Sequence, residues 1–239
     1  MKSFSSLSRP HRSLRHLGRL IVLAISPMIA SHAFAASFTL EATTVVLDER
    51  EGQVAFNVKN DGNAPLLLVS KVDNLDDSNL AGRILVSPPI TRVDPGQSQQ
   101  VNYSLKKGPP IDHEVLLKAS FEGVVQKTSE SSTAMPTRQE IGFLIQPASV
   151  LKSSAPWQDL KLSVEGGDLV LENPGKHVIR LSRSLTLMPE KKIVNLDNAW
   201  LMPGEKHRVA VLENPTSVSF IPFSRYGFVL PAVTMPVAH

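Results

Sequence analysis

Short apolar runs of period two, broken by turn residues, recur along the chain from Val54 to Phe223, and they leave room for little besides antiparallel β-structure. Val54, Phe56 and Val58 alternate with Ala55 and Asn57 before Asn60-Asp61-Gly62-Asn63 turns the chain. Leu66 to Val72, Val115 to Val125 and Ile141 to Ile145 read as further strands. Leu160, Leu162 and Val164 lead into Glu165-Gly166-Gly167-Asp168, and Leu169 and Leu171 lead out, the composition of a tight hairpin. Val178 to Leu187, Arg208 to Leu212 and Val218 to Phe223 supply the remaining runs. No segment combines a sustained helical period with a cap and a glycine stop. The predicted fold class is all-β, built of antiparallel sandwiches.

The stretch from Leu85 to Leu105 carries the clearest punctuation. Pro88-Pro89 cannot donate to a ladder and excludes a central strand. Asp94-Pro95-Gly96 has the chemistry of a type II turn, and Val101, Tyr103 and Leu105 then alternate with Asn102 and Ser104.

The first 35 residues differ from the rest. Lys2, Arg9, Arg12, Arg15 and Arg19 precede an apolar run from Leu20 to Ala30, and Ala33-Phe34-Ala35 is a small-x-small processing site. That order predicts a secretory signal peptide cleaved after Ala35. An Arg-rich, Ser-rich, acid-free leader also describes a mitochondrial transit peptide, but the compact apolar block beside the Ala-x-Ala site favours export. The run is too short for a membrane span of about 20 residues, so no stable membrane insertion is expected. Removing the leader turns 25 Lys+Arg against 22 Asp+Glu into 20 against 22, a formal charge of −2. No basic patch with interleaved aromatics remains, and a nucleic-acid partner loses its support.

Cysteine is absent, which excludes disulfides, thiolate metal sites and cysteine catalysis. Beyond the leader the histidines are His113, His177, His207 and His239, and none sits at metal-ligand spacing. No nucleophile elbow, phosphate loop or dinucleotide fingerprint is present. The sequence thus predicts no catalytic residue, no metal and no cofactor: a binding protein, not an enzyme. "QPASVLKSSAP", Gln146 to Pro156, has linker composition and divides the chain into an N-terminal sandwich domain, 36–150, and a C-terminal one, 151–239.

"PPITRVDPGQSQQVNYS" resembles the Pro-Pro-x-x-Arg-x-x-Pro-Gly segment of the PapD-like family, the periplasmic chaperones of the chaperone–usher pilus pathway. "NDGNAPLLLVSKV", "DHEVLLKASFE", "QPASV", "PWQDL", "LENP" and "MPGE" resemble further family segments in the same order, so the resemblance spans nearly the whole mature chain. It implies two immunoglobulin-like β-sandwiches in an L-shaped arrangement and a periplasmic location. It also implies pilus subunits and an outer-membrane usher as partners. The implied mechanism is donor-strand complementation, in which the chaperone lends a strand to an incomplete sandwich. The lent strand would run from about Thr133 to Gln146, with Thr133, Met135, Thr137, Gln139 and Ile141 on one face. A periplasmic β-sandwich binding module that no longer serves pilins is the alternative.

Three departures from the family pattern stand out. The family holds its client's C-terminal carboxylate with an Arg on the first strand and a Lys on the lent strand; the matching positions here are Thr44 and Gly142. A register shift offers only Arg138, nearer the strand's start. Of the lent-strand positions, only Met135 and Ile141 are bulky and apolar. Finally, the family's interdomain Arg position is Gln146, and a positive charge stands instead at Arg225. The resemblance implies either a Glu114–Arg225 pair across the domains or two separate surface charges.

Overall fold

The computed structural model describes residues 37–76, 79–125, 135–212 and 214–238. The predicted leader with its processing site, and Thr133, lie outside these residues. Among the described residues the N-terminal sandwich contains β1 (Phe38–Leu40), β2 (Thr44–Asp48), β3 (Gln53–Asn60), β4 (Leu66–Asp73), β5 (Ile84–Ser87), β6 (Ile90–Val93), β7 (Ser98–Leu105), β8 (Val115–Val125) and β9 (Thr137–Gln146). One sheet has the order β1-β3-β7-β5 and the other β2-β9-β8-β4-β6.

Alternation along the strands makes the core. In β7, Val101 and Tyr103 are fully buried while Asn102 is exposed. Phe56 stacks on Phe121 with ring centroids 5.3 Å apart, and Tyr103 meets Phe143 edge-on at 5.1 Å, so two aromatic pairs tie one sheet to the other. Pro88-Pro89 falls where the chain leaves β5 in the first sheet for β6 in the second, since a residue without an N–H ends a ladder. At the following turn the Gln97 N–H donates to the Asp94 carbonyl at 3.1 Å, and Gly96 takes the positive φ of 72° that a type II turn requires.

The lent-strand candidate is longer than its apolar part. The sequence marks only Ile141 to Ile145, yet β9 begins at Thr137, because the ladder with β8 continues through Gly123↔Thr137 whatever the polarity of the side chains. β2 lies along the opposite edge of β9, parallel to it.

Among the described residues the C-terminal sandwich contains β10 (Lys161–Glu165), β11 (Asp168–Glu172), β12 (Ile179–Arg180), β13 (Ser184–Met188), β14 (Lys192–Asn195), β15 (Trp200–Leu201), β16 (Lys206–Ala210), β17 (Ser217–Phe220) and β18 (Val233–Pro236). The Gly166-Gly167 hairpin joins β10 to β11 as the sequence predicts, with Glu165 opposite Asp168. The run from Val178 to Leu187 is two strands rather than one. β12 pairs with β15, β13 with β14 and β17, and Leu181 and Ser182 cross between them, their N–H groups bonded to Ala199 and Ile221. Apolar alternation persists through such a crossing, which is why the sequence hides it.

The two cores draw on residues 38–145 and 160–237. A third, smaller apolar cluster of Leu116, Leu144, Val178 and Met202 joins them. Beside it the Glu114 N–H donates to the Lys176 carbonyl at 2.8 Å.

Candidate functional site

The pairing of β2 with β9 runs only from Thr44↔Gly142 to Asp48↔Gln146. Before Gly142, the stretch Arg138–Ile141 has β8 as its ladder neighbour, and among the described strands none on its other side. The site therefore begins as an open strand edge, with unpaired backbone groups able to accept another strand.

Side chains along that edge divide by parity. Arg138 and Glu140 point outward and pair at 2.8 Å, with the Lys118 ammonium 3.4 Å from Glu140. Thr137, Gln139 and Ile141 are half-buried; Gln139 donates from Nε2 to the Phe38 carbonyl at 2.7 Å, and Ile141 packs on the N-terminal core. Met135, just before the strand, is 65% exposed. The expected set of projecting side chains thus splits: Met135 projects freely, whereas Gln139 and Ile141 are engaged by their own sandwich.

Thr44 and Gly142 come together as direct ladder partners where the open edge ends. Arg180, from β12 of the other sandwich, reaches the same point and donates from Nη1 to Thr44 Oγ1 at 2.7 Å. A Cβ placed on Gly142 would lie 3.5 Å from Arg180 Nη2, an ordinary contact distance, so the guanidinium stands directly over this position. Burial pushes the Arg180 pKa down, and among the described residues no carboxylate forms an ion pair with it. A cleft of about 520 Å³ opens there, lined by Thr43, Leu116, Ile141, Gly142, Arg180, Trp200 and Phe223 among others. Its walls are mainly apolar; Lys118 and Glu140, which pair with each other, also line it, and Arg180 is its cation without an ion-pair partner among the described residues.

Deeper in the seam, Arg225 donates from Nη2 to Gln146 Oε1 at 2.6 Å and lies 3.8 Å from the Glu114 carboxylate. Glu114, 4% exposed, also accepts the Val178 N–H at 3.0 Å. Burial pushes its pKa up, and the Val178 N–H, His177 and Arg225 oppose that shift. The three residues singled out from the sequence, Glu114, Gln146 and Arg225, therefore form one cluster across the sandwiches. Among the described residues no group of three His, Asp or Glu side chains is placed to hold a metal.

Residues 37–151 match the family model described as "Pili and flagellar-assembly chaperone, PapD N-terminal domain". The chain is 29% identical over 217 residues to the fimbrial chaperone YhcA of Escherichia coli K12, covering 90% of this chain and 95% of that one. It is 23% identical over 167 residues to the chaperone protein PapD of Escherichia coli, covering 66% and 70%. Residues 37–151 belong to the PapD-like family of pilus chaperones. A solved complex of the Salmonella enterica SafA pilin with the SafB chaperone contains a chain of the same fold, with a TM-score of 0.71, 20% identity and coverage of 85% of this chain and 99% of that one.

This PapD-like domain departs from the family pattern at the cleft, and the geometry shows what stands there instead. Thr44 and Gly142 carry no charge, and Arg180 brings one from the opposite sandwich. Sequence reasoning missed Arg180. Its one signal was a lone cation in the apolar run Val178, Ile179, Leu181, where a strand side chain with no local partner must be aimed at something distant.

Proposed function

We propose that this protein is a periplasmic chaperone that binds pilus subunits by lending the edge of β9 and passes them to an outer-membrane usher. The domains are 36–150 and 151–239, the leader is removed after Ala35, and the binding is noncatalytic. The observation that carries the reading is that the open edge Arg138–Ile141 ends on Arg180.

A strand added to that edge occupies the line that β2 continues, and β2 is parallel to β9. If the added strand is parallel too, its C-terminus arrives beside Thr44 and Arg180, placing a carboxylate against the Arg180 guanidinium. An antiparallel strand would bring an ammonium there, which the same cation repels. A charge-assisted bond to such a group is worth about 1.5–3 kcal/mol, roughly a tenfold to hundredfold preference. The mainly apolar cleft wall takes the client's alternate side chains, and main-chain bonds along Arg138–Ile141 supply the rest.

Purification of the protein from the periplasm tests the reading. A pilus subunit is expected in a one-to-one complex with the unvaried protein and to be lost with Arg180→Gln. Recovery of the chaperone always without a subunit would favour the alternative of a sandwich module that no longer serves pilins.

A further inference from the structure

The turn between β17 and β18 is a short hairpin that the cleft alone does not explain. Phe223 pairs with Val229, the Ser224 N–H donates to the Phe228 carbonyl at 2.8 Å, and the Gly227 N–H donates to the Ser224 carbonyl at 2.9 Å. Its base is tied to β12, where the Phe223 N–H donates to the Arg180 carbonyl at 2.9 Å. Its tip is tied to the other sandwich twice, by Thr43 Oγ1 donating to the Tyr226 carbonyl at 3.1 Å and by Arg225 bonding Gln146. Gly227 has a φ of +86°, and a Cβ there would overlap Thr43 Oγ1, so close approach and backbone conformation both require glycine.

Backbone bonds and the contacts of Arg225 and Thr43 fix this hairpin, and three of its apolar side chains face outward. Tyr226 is 51% exposed, Phe228 68% and Val229 68%. Among the described residues Tyr226 and Phe228 are the exposed aromatic side chains, and both belong to this hairpin. Phe223 and Gly227 of the same hairpin line the cleft, so the exposed patch continues directly from the cleft wall. Aromatic side chains have few rotatable bonds, and on a backbone already fixed they cost little entropy to bury, which is the property of an interface anchor.

We infer that Tyr226 and Phe228 form a second docking surface for the client subunit, gripping its body while β9 and Arg180 grip its strand. This rests on the proposed function and adds to it: the C-terminal sandwich contacts the client through its own aromatic residues. The occupant follows from continuity. A folded domain attached to a strand that runs into the cleft must stand at the cleft mouth, where the hairpin is fixed.

The test uses full-length protein and the pilus subunit that co-purifies with it, identified by mass spectrometry and then isolated. Y226S/F228S is expected to keep the urea midpoint of the unvaried protein and to bind the subunit at least tenfold more weakly, through faster dissociation. A photoreactive phenylalanine analogue at position 228 is expected to crosslink to the subunit. Unchanged affinity in Y226S/F228S, with Arg180→Gln still impaired, would overturn this inference and leave the proposed function standing. Weakened binding without a crosslink would overturn it too, because the hairpin would then act only through cleft shape. Crosslinking to vesicles of phosphatidylethanolamine and phosphatidylglycerol, with no crosslink to the subunit, would assign the patch to a membrane surface instead. Absence of any subunit with the unvaried protein removes both readings.

Discussion

Arg180 of the C-terminal sandwich bonds Thr44 of the N-terminal sandwich at 2.7 Å, directly beside the ladder pair Thr44↔Gly142. The cationic part of the cleft is consequently shared between the two sandwiches. A carboxylate bound there engages both at once, so client binding and the relative placement of the sandwiches are linked.

The shared anchor makes a relocation experiment decisive. Arg180→Ser is expected to weaken binding of a peptide with a free C-terminal carboxylate by roughly tenfold to hundredfold, the worth of one charge-assisted bond. Adding Gly142→Lys to that variant should recover much of the loss. A Cβ at Gly142 meets Leu116, Thr44 and Arg180 only at 3.4–3.5 Å, ordinary contact distances, so a side chain fits once the guanidinium has gone. Calorimetric titration of both variants checks this. A Gly142→Lys rescue as weak as Arg180→Ser alone would mean that Arg180 acts by some route other than its charge.

Met135 and Ile141 should separate binding from stability. Met135 projects at 65% exposure, whereas Ile141 packs on the N-terminal core. Met135→Glu is expected to leave the urea midpoint unchanged and to impair subunit capture, because a charge cannot enter an apolar groove without a desolvation cost. Ile141→Glu is expected to destabilise the free chaperone, by on the order of 2 kcal/mol. Equal midpoints for the two variants would show that Ile141 is not held by its own sandwich.

Much of the fold was legible because burial writes itself into alternation. Val101, Tyr103 and the Gly166-Gly167 hairpin stand where period and turn chemistry put them. The crossing at Leu181–Ser182 was not legible, since both strands stay apolar through it. The resemblance marked Thr44, Gly142, Glu114, Gln146 and Arg225, and the packing brings Thr44 beside Gly142 and Arg225 beside Gln146 and Glu114. The cation of the cleft was not legible, because Arg180 is 136 residues from Thr44 in sequence and only the packing of one sandwich on the other joins them. The same holds for Ile141, expected among the client-facing positions: it shares its face with the buried Phe143 and Ile145 and packs on its own core, while the edge left open beside it depends on where β2 stops.

Export is checked at one residue. Protein recovered from the periplasm is expected to carry Ala36 at its N-terminus, since Ala33-Phe34-Ala35 directly follows the apolar run. Intact-mass measurement decides it, and soluble protein retaining the whole leader would contradict cleavage.

The last prediction concerns Glu114 and Arg225. They lie 3.8 Å apart with side chains 6% and 14% exposed, and Arg225 makes its short bond to Gln146. A double-mutant cycle of Glu114→Gln and Arg225→Gln is therefore expected to give a coupling of about 1–2 kcal/mol, within the usual range for contacting groups. A well-exposed pair would give under about 1. The pH dependence follows from the direction of the Glu114 shift. Burial raises its folded pKa above the ordinary 4.5, despite the Val178 N–H, His177 and Arg225. The stability this carboxyl contributes is thus fully present below the unfolded pKa and is lost as pH rises through the raised folded value. Relative to Glu114→Gln, the unvaried protein should gain stability as pH falls from 7 towards 4.5. Arg225→Gln removes one of the opposing influences, so in that background the folded pKa rises further and the pH-dependent gain widens and begins at higher pH. Urea midpoints of the four proteins between pH 4 and 8 measure both effects. A stability difference between the unvaried protein and Glu114→Gln that stays flat across that range would mean that Glu114 is solvated in solution and that the seam between the sandwiches is held by Gln146 and the apolar cluster alone.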